Sequence, residues 1–241
     1  MNHKVTVAVV VPAYNEEGKI GRVVEKIRAT GAADKIIVVD DCSTDGTSRE
    51  ASEAGAHVIC HQLNQGVGGG IRTGLQYSKE KGFSIAVILS GDDQHEPEEL
   101  KSVLEPLFTD SADFVQGSRR IAGGRVVNPP LFREVTTRLF SLVFTIMAGK
   151  RITDGTNGFR AFKLSILDDP EIDLGQSWLN TYELEPYLLY KAVRSKRWRV
   201  IESPVTVYYR GTTRNFSKMR PIRDWWRLAR PLFFLRFGLR S

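Results

Sequence analysis

The run Ile85-Ala86-Val87-Ile88-Leu89 leads straight into Ser90-Gly91-Asp92-Asp93-Gln94-His95. Five consecutive apolar residues read as a strand buried on both faces, which is the mark of a parallel sheet. Open α/β sheets bind ligands outside the carboxyl ends of their strands, and this strand ends in carboxylates. A second run, Ile36-Ile37-Val38-Val39, ends the same way in Asp40-Asp41. Aspartate and amide oxygens are hard donors that suit Mg²⁺ or Mn²⁺ rather than zinc. Two acidic strand ends in one half of the chain suggest a metal-bound phosphorylated ligand. The plainer alternative is a pair of solvated turns.

The first half of the chain alternates strand and helix. Strands are expected at Val5–Val11, Lys35–Val39, His57–Cys60, Ile85–Leu89 and Asp113–Gln116. Asn15-Glu16-Glu17 offers an N-cap and first-turn acids for a helix to about Ala29. Asp45 can cap the next helix, Gly66 to Lys81 forms a third, and Pro97 with Glu98 and Glu99 opens a fourth. This order predicts a mostly parallel sheet with helices on both faces. In the second half a helix is expected over 131–148 and another over Trp178–Arg194. Short strands follow at Trp198–Ile201 and Val205–Tyr209, with Asp154–Arg160 as a turn-rich segment.

The chain has 241 residues, 41% hydrophobic and 26% charged, the profile of a globular domain with a sizeable core. Cys42 and Cys60 have no paired spacing and fit a reducing compartment. No run reaches the roughly 18 to 20 apolar residues of a membrane span, and the N-terminal apolar run lacks the flanks of a signal peptide. The net charge of +6 is concentrated: residues 220–241 hold six arginines against Asp224, leaving +1 for the other 219 residues. This divides the chain into a globular domain, 1–219, and a basic aromatic tail, 220–241.

Val10-Val11-Pro12-Ala13-Tyr14-Asn15-Glu16 and Val39-Asp40-Asp41-Cys42-Ser43-Thr44-Asp45-Gly46-Thr47 resemble the opening motifs of the family 2 glycosyltransferases. Gly117-Ser118-Arg119, Asp154-Gly155-Thr156-Asn157-Gly158-Phe159-Arg160, and Arg210 through Ser217-Lys218 extend the likeness. That longer set is similar to the dolichyl-phosphate mannosyltransferase branch, which moves a sugar onto a polyprenyl phosphate. The resemblance spans about residues 5 to 220. It implies the GT-A fold and an inverting transfer from GDP-mannose or a UDP-hexose.

It further implies that Pro12, Ala13, Tyr14, Glu16, Asp40, Asp41, Asp92 and Asp93 hold the nucleotide sugar. Gly66 and Gly70 of the glycine-rich loop belong to the same set. Glu16 has a second reading, as a first-turn acid complementing a helix dipole. At the metal motif the branch commonly carries Asp-x-Asp-x-Gln, and this chain has Ser90 in place of the first aspartate. Asp92 and Gln94 remain the expected ligands for Mg²⁺ or Mn²⁺, with Asp93 as a possible substitute carboxylate and His95 in a structural role.

A phosphate nucleophile arrives ionised and needs cations, not a base. Arg119, Arg133, Arg210 and Lys218 match the branch's positions, and Thr137, one turn after Arg133, can add a hydroxyl. Together with Asp92 these cations form the expected catalytic set. If the acceptor is a hydroxyl instead, Asp154 and Glu183 are the leading bases and Glu185 the reserve.

As a helix over 222–230, the tail puts Ile222, Trp225, Trp226 and Ala229 on one face and Arg223, Arg227 and Arg230 on another, with Pro231 as its breaker. That describes an interfacial helix at an anionic membrane surface; a helix docked on its own domain is the alternative. No nucleic-acid recognition motif accompanies the charge. The expectation is therefore a cytoplasmic, peripheral enzyme, with a membrane-anchoring subunit as a further partner. Two rivals remain: the same fold acting on a hydroxyl of a glycan or lipid-linked sugar, and a non-catalytic nucleotide-sugar binding module.

Overall fold

The computed structural model describes residues 5–209 and 223–240. Four parallel strands build one side of the main sheet: β1 (Val7–Ala13), β2 (Lys35–Asp40), β3 (His57–Cys60) and β4 (Ile85–Ile88). The other side holds β5 (Phe114–Ser118), β7 (Arg160–Lys163) and β8 (Val200–Pro204). The order across the seven strands is β3-β2-β1-β4-β7-β5-β8. β6 (Arg125–Val127) and β9 (Thr206–Tyr208) form a separate parallel pair.

The strand β7 is antiparallel to both β4 and β5, a departure from the sequence reading. Arg160–Lys163 follows a turn-rich motif and is only four residues long, so periodicity does not expose it. Its two outer neighbours fix it: Ala161 pairs with Val87 on one side and Val115 on the other.

Helices cover both faces. One core layer buries Val9, Val11, Val38 and Val87 under α1 (Ile20–Ala29), α2 (Thr47–Glu53) and α4 (Leu100–Phe108). The other buries Val10, Val39 and Ile88 under α3 (Val67–Glu80), α5 (Leu131–Ala148) and α6 (Leu184–Arg194). Alternate residues of each strand serve opposite layers, as the pleat requires. α5 has the bounds its apolar period predicts. The segment read as one helix from Trp178 splits into a 3₁₀ turn, Ser177–Leu179, and α6.

α1 begins at Ile20, not near Asn15. Asn15 adopts φ +50° and its side-chain oxygen accepts from the Thr44 N–H at 2.9 Å. The Ser43 hydroxyl in turn accepts from Asn15 N–H, and Thr47 and Glu50 hold the N–H groups of Glu16 and Gly18. The loops after β1 and β2 are thus clasped together before either helix starts.

The tail forms α7 (Arg223–Arg236), which continues through Pro231. Its inner face is Asp224, Leu228, Pro231 and Leu232, packed on α5 and α6. The sequence reading put the apolar face one notch round, at Ile222, Trp225, Trp226 and Ala229, and stopped the helix at Pro231; Ile222 lies outside the described residues. Burial of Pro231 and Leu232 outweighs the hydrogen bond that the ring removes. Trp226 remains half exposed.

Residues 223–236 are therefore part of the folded domain. Arg230 is the counter-ion of the fully buried Glu183 (Nη2 to Oε1, 2.5 Å). Leu232→Ala should lower stability by about 2–5 kcal/mol. Arg230→Ala should cost about 3–5 kcal/mol, since it strands a buried carboxylate. Urea midpoints measure both; values near wild type would mean that α7 is not docked in solution.

Candidate active site

The order β3-β2-β1-β4 reverses direction between β1 and β4, and open α/β sheets bind ligands at such a switch point, outside the strands' carboxyl ends. Pro12–Glu16 lies on one side of it and Ser90–His95 on the other. Gly91 lets the two loops meet: a Cβ there would stand 3.0 Å from Ile20 Cδ1 and 3.4 Å from the Pro12 carbonyl. Tyr14 is exposed, while Ala13 and Glu16 are buried. Glu16 receives Lys19 Nζ at 2.9 Å.

The acidic pair after β2 proves structural in large part. Asp40 accepts from the Ser43 N–H at 3.0 Å and from the hydroxyls of Ser43 and Ser48. Asp41 accepts from the N–H groups of Gln65 and Gly66 at 2.7 Å each, and meets His61 Nδ1 at 2.7 Å. It anchors the approach to α3. The glycine-rich loop is also a packing device. A Cβ on Gly68 would stand 2.1 Å from the Leu179 carbonyl, and Gly66 combines φ +87° with a 2.5 Å approach to Asn180. Gly70 rests on Pro12.

Asp93 does not replace the carboxylate missing at Ser90. At φ +61° its side chain turns to α1, where Lys26 lies at 3.2 Å and Arg22 at 3.6 Å. Asp92 Oδ1 accepts from the Gln94 N–H at 3.2 Å, and both residues are half-buried. Burial pushes the Asp92 carboxyl above its ordinary range; His95 offsets part of this and Glu16 adds to it. His95 is buried and its imidazole is pushed down by that burial. Its Nε2 meets Asn157 Oδ1 at 2.8 Å, the same oxygen that accepts from Phe159 N–H. This loop is also stitched to β9, where Tyr208 N–H donates to the Gln94 carbonyl at 2.8 Å.

Do these residues suit a divalent metal? The donors at hand are a carboxylate, an amide oxygen and the Ser90 hydroxyl, all hard. The extra negative charge of Glu16 beside Asp92 is what a cation relieves. Among the described residues no group of three or more His, Cys, Asp or Glu is arranged to hold a metal. The set therefore fits Mg²⁺ or Mn²⁺ only as those ions usually bind with nucleotides, through one or two protein oxygens plus phosphate oxygens.

On the acceptor side the largest change from the sequence reading concerns Arg119. It is buried and gives Nε and Nη2 to the two oxygens of Asp154 at 2.5 and 2.6 Å. Nη1 reaches the Tyr209 hydroxyl and Nη2 also Thr156. Its guanidinium is spent inside the protein, not offered to a phosphate. Burial alone would raise the Asp154 carboxyl; Arg119 overcomes this and holds it below the usual carboxylate range. Asp154 is thus a counter-ion, not a base.

Glu183 is likewise committed to Arg230, and accepts from the Thr181 hydroxyl at 2.5 Å. Glu185 pairs with the buried Arg160 at 3.2 Å. Thr137 is buried: its hydroxyl donates to the Arg133 carbonyl and accepts from Arg120. Arg133 stands at the start of α5 with its guanidinium 5.9 Å from the Trp225 ring centre. Arg210 and Lys218 lie outside the described residues. No sequence pattern marks Arg120, which binds Glu134 at 2.7 Å and holds its carboxyl down at about 2, or the role of Arg230. Both partnerships join residues that only tertiary packing brings together.

A mixed sheet with helices on both faces, whose strand order reverses beside a loop of hard oxygen donors, places the protein in the α/β class. The family model described as glycosyl transferase family 2 matches residues 8–169, and the chain belongs to that family. It is 32% identical over 205 residues to an undecaprenyl-phosphate mannosyltransferase of Micrococcus luteus, covering 83% of this chain and 82% of that one. It is 30% identical to a polyprenol monophosphomannose synthase of Mycolicibacterium smegmatis, covering 82% and 76%. A UDP-N-acetylglucosamine–dolichyl-phosphate N-acetylglucosaminyltransferase of Methanococcus voltae is 34% identical, covering 66% and 69%. Among solved structures, glucosyl-3-phosphoglycerate synthase of Mycobacterium tuberculosis, in complex with Mn²⁺, UDP and glucosyl-3-phosphoglycerate, superposes with a TM-score of 0.69. That match has 18% identity and covers 98% of this chain and 81% of that one. The same synthase with Mg²⁺ and UDP gives 0.69 at 21% identity. These structures fix the fold as GT-A.

The Asp154–Arg119 pair has a pH signature. A carboxyl held low in the folded state stabilises it at neutral pH, down to the unfolded value of about 3.9. That contribution is lost as pH falls through the lower folded value. Asp154→Asn should cost about 3–5 kcal/mol at pH 7 and flatten the acid limb of a urea-midpoint series. An unchanged acid limb would mean that the pair does not form.

Proposed function

We propose that this chain transfers a sugar from a nucleotide diphosphate sugar to a polyprenyl phosphate, with inversion, at the cytoplasmic face of a membrane. One observation carries the choice of acceptor. The carboxylates suited to deprotonate a hydroxyl, Asp154, Glu183 and Glu185, are each engaged by an arginine. A nucleophile that needs no base suits such a site. A phosphate monoester, with its second pKa near 6, is already ionised. The names of the curated relatives point the same way.

Mechanistically, Tyr14, Glu16 and the clasped loops would seat the nucleotide at the switch point. Asp92 and Gln94 would hold Mg²⁺ or Mn²⁺, which when bound neutralises charge on the leaving diphosphate. Arg133 would draw the acceptor phosphate to the opposite side of the sugar, positioning it for in-line attack at the anomeric carbon. The new phosphate–sugar bond forms as the bond to the nucleoside diphosphate breaks, and no proton need move.

A membrane partner is supported by α5 rather than by the tail alone. Leu131, Phe132, Val135, Leu139, Leu142 and Ile146 lie along its outer face, each more than half exposed. Trp226, Phe237 and Leu239 of the C-terminal segment are also exposed, and Arg138 stands on α5 itself. An exposed apolar stripe rimmed by cations suits an anionic interface. Among the described residues no helix is long and apolar enough to cross a membrane.

Screening GDP- and UDP-sugars against a short polyprenyl phosphate, with mass detection, tests the reaction. A sugar–phosphate–polyprenol product is expected with at least one donor. Asp92→Ala should abolish both turnover and metal-dependent nucleotide binding while the fold survives; near-normal activity would remove Asp92 from the metal site. Leu139→Asp with Leu142→Asp should reduce partitioning onto anionic vesicles, which added salt should also weaken in the wild type. Equal partitioning of both proteins would discard the α5 interface.

A further inference from the structure

Burial alternates along the loop that follows β4. Gly91, Asp93 and His95 are buried, while Asp92 and Gln94, which stand between them, are half-buried. The two buried side chains are tied to different parts of the fold. Asp93 meets Lys26 of α1 at 3.2 Å, and His95 Nε2 meets Asn157 Oδ1 at 2.8 Å. The half-buried pair is linked to the backbone between these anchors. The Gln94 N–H donates to Asp92 Oδ1 at 3.2 Å, and the Gln94 carbonyl accepts from Tyr208 N–H at 2.8 Å. His95 itself bridges to Val207 of β9. An unbroken run of bonds thus leads from Asn157 through His95 and Gln94 to the Asp92 carboxylate.

The sense of the His95 bond is fixed by its partner. Asn157 Oδ1 also accepts from the Phe159 N–H at 3.0 Å, a group that can only donate. The atom facing the imidazole is therefore the amide oxygen, so Nε2 carries the proton and Nδ1 the lone pair. Nδ1 is buried and has no hydrogen-bond partner among the described residues. A buried polar atom left unpaired is costly. The ring also packs edge-on against Phe159, with centres 5.6 Å apart, but an aliphatic side chain would fill that space without an orphaned nitrogen. Packing alone does not account for a histidine here; the bond from Nε2 does. Asn157 is a firm support for it, since its carbonyl accepts from Gln116 Nε2 at 2.9 Å and from Arg160 Nη2.

We propose that His95 is a positioning residue for the divalent-cation site: its Nε2–H bond to Asn157 holds Gln94 and the Asp92 carboxylate where a metal can use both. The inference rests on the ligand assignment proposed above. With Ser90 in place of an aspartate, the loop offers one carboxylate fewer. Less charge attracts the cation, so more depends on where the remaining oxygens stand. Groups that orient a ligand in this way are worth roughly 10- to 100-fold in metal affinity. His95 therefore touches neither metal nor substrate and acts through the two residues before it in the loop.

The test measures Mn²⁺ binding to the full chain by electron paramagnetic resonance, with UDP and with GDP. His95→Leu should raise the Mn²⁺ Kd by roughly tenfold or more. His95→Gln, whose amide nitrogen reaches the place of Nε2, should recover most of the loss. His95→Asn, whose amide nitrogen stands nearer the place of Nδ1, should not. A packing role alone would favour the apolar leucine, so the order Gln before Leu and Asn separates the two. Combining His95→Leu with Asn157→Ala should weaken Mn²⁺ no further than the worse single change, because both remove one bond. If His95→Leu does not fold, the comparison of Gln with Asn carries the test. Equal Mn²⁺ affinity in wild type and in the Leu or Asn variant overturns the positioning role and leaves Asp92 and Gln94 as ligands. A wild type that binds no Mn²⁺ with either nucleotide overturns the ligand assignment as well.

Discussion

The pair between Arg119 and Asp154 organises the half of the molecule that faces the acceptor. Arg119 directly follows β5, and its backbone N–H as well as its side chain binds Asp154. Through Asp154 it fixes the segment before β7, whose carbonyls at Asp154 and Asn157 receive the Gln116 amide. Through Tyr209 it fixes the chain leaving β9. Asn157 then grips His95, next to the crevice loop. A buried ion pair gains little over well-packed apolar residues in net stability, but breaking one is costly. Here it joins β5, β7, β9 and the Ser90–His95 loop into one unit.

This arrangement explains how a site with so many carboxylates comes to lack an evident base. Each acid that sequence position marks as a candidate is matched to a cation by the fold. Arg133 is carried by α5, whose outer face is apolar and exposed. The asymmetry between an oxygen-lined donor crevice and a cationic, apolar-flanked acceptor side is the physical content of the proposed reaction.

Much of the architecture was legible in the sequence because apolar runs of four or five residues admit few alternatives. The strands β1, β2 and β4, the helix α5 and the crevice at their ends follow from local pattern. The antiparallel β7 was not legible, since its pairing depends on neighbours far along the chain. At the site, several motif residues make contacts other than those the motifs implied. Asp41 and Asp93 carry the motif's chemistry yet point to α3 and α1. A motif records which residue stands where, whereas direction depends on backbone angles such as φ +61° at Asp93. The tail showed the opposite failure: its charge was read correctly, but its inner face was set by Leu228 and Leu232, not by the tryptophans.

The central claim is that the nucleophile is a phosphate and that the protein removes no proton from it. The most direct measurement compares a short polyprenyl phosphate with the corresponding polyprenol as acceptors, across pH 5 to 9, with mass detection of the product. The account predicts transfer to the phosphate alone. The rate should fall at the acid end, where the phosphate loses its second charge near pH 6, and Asp154→Asn protein that remains folded should show the same profile. Transfer to the alcohol, or a limb that disappears in a carboxamide variant, would contradict it.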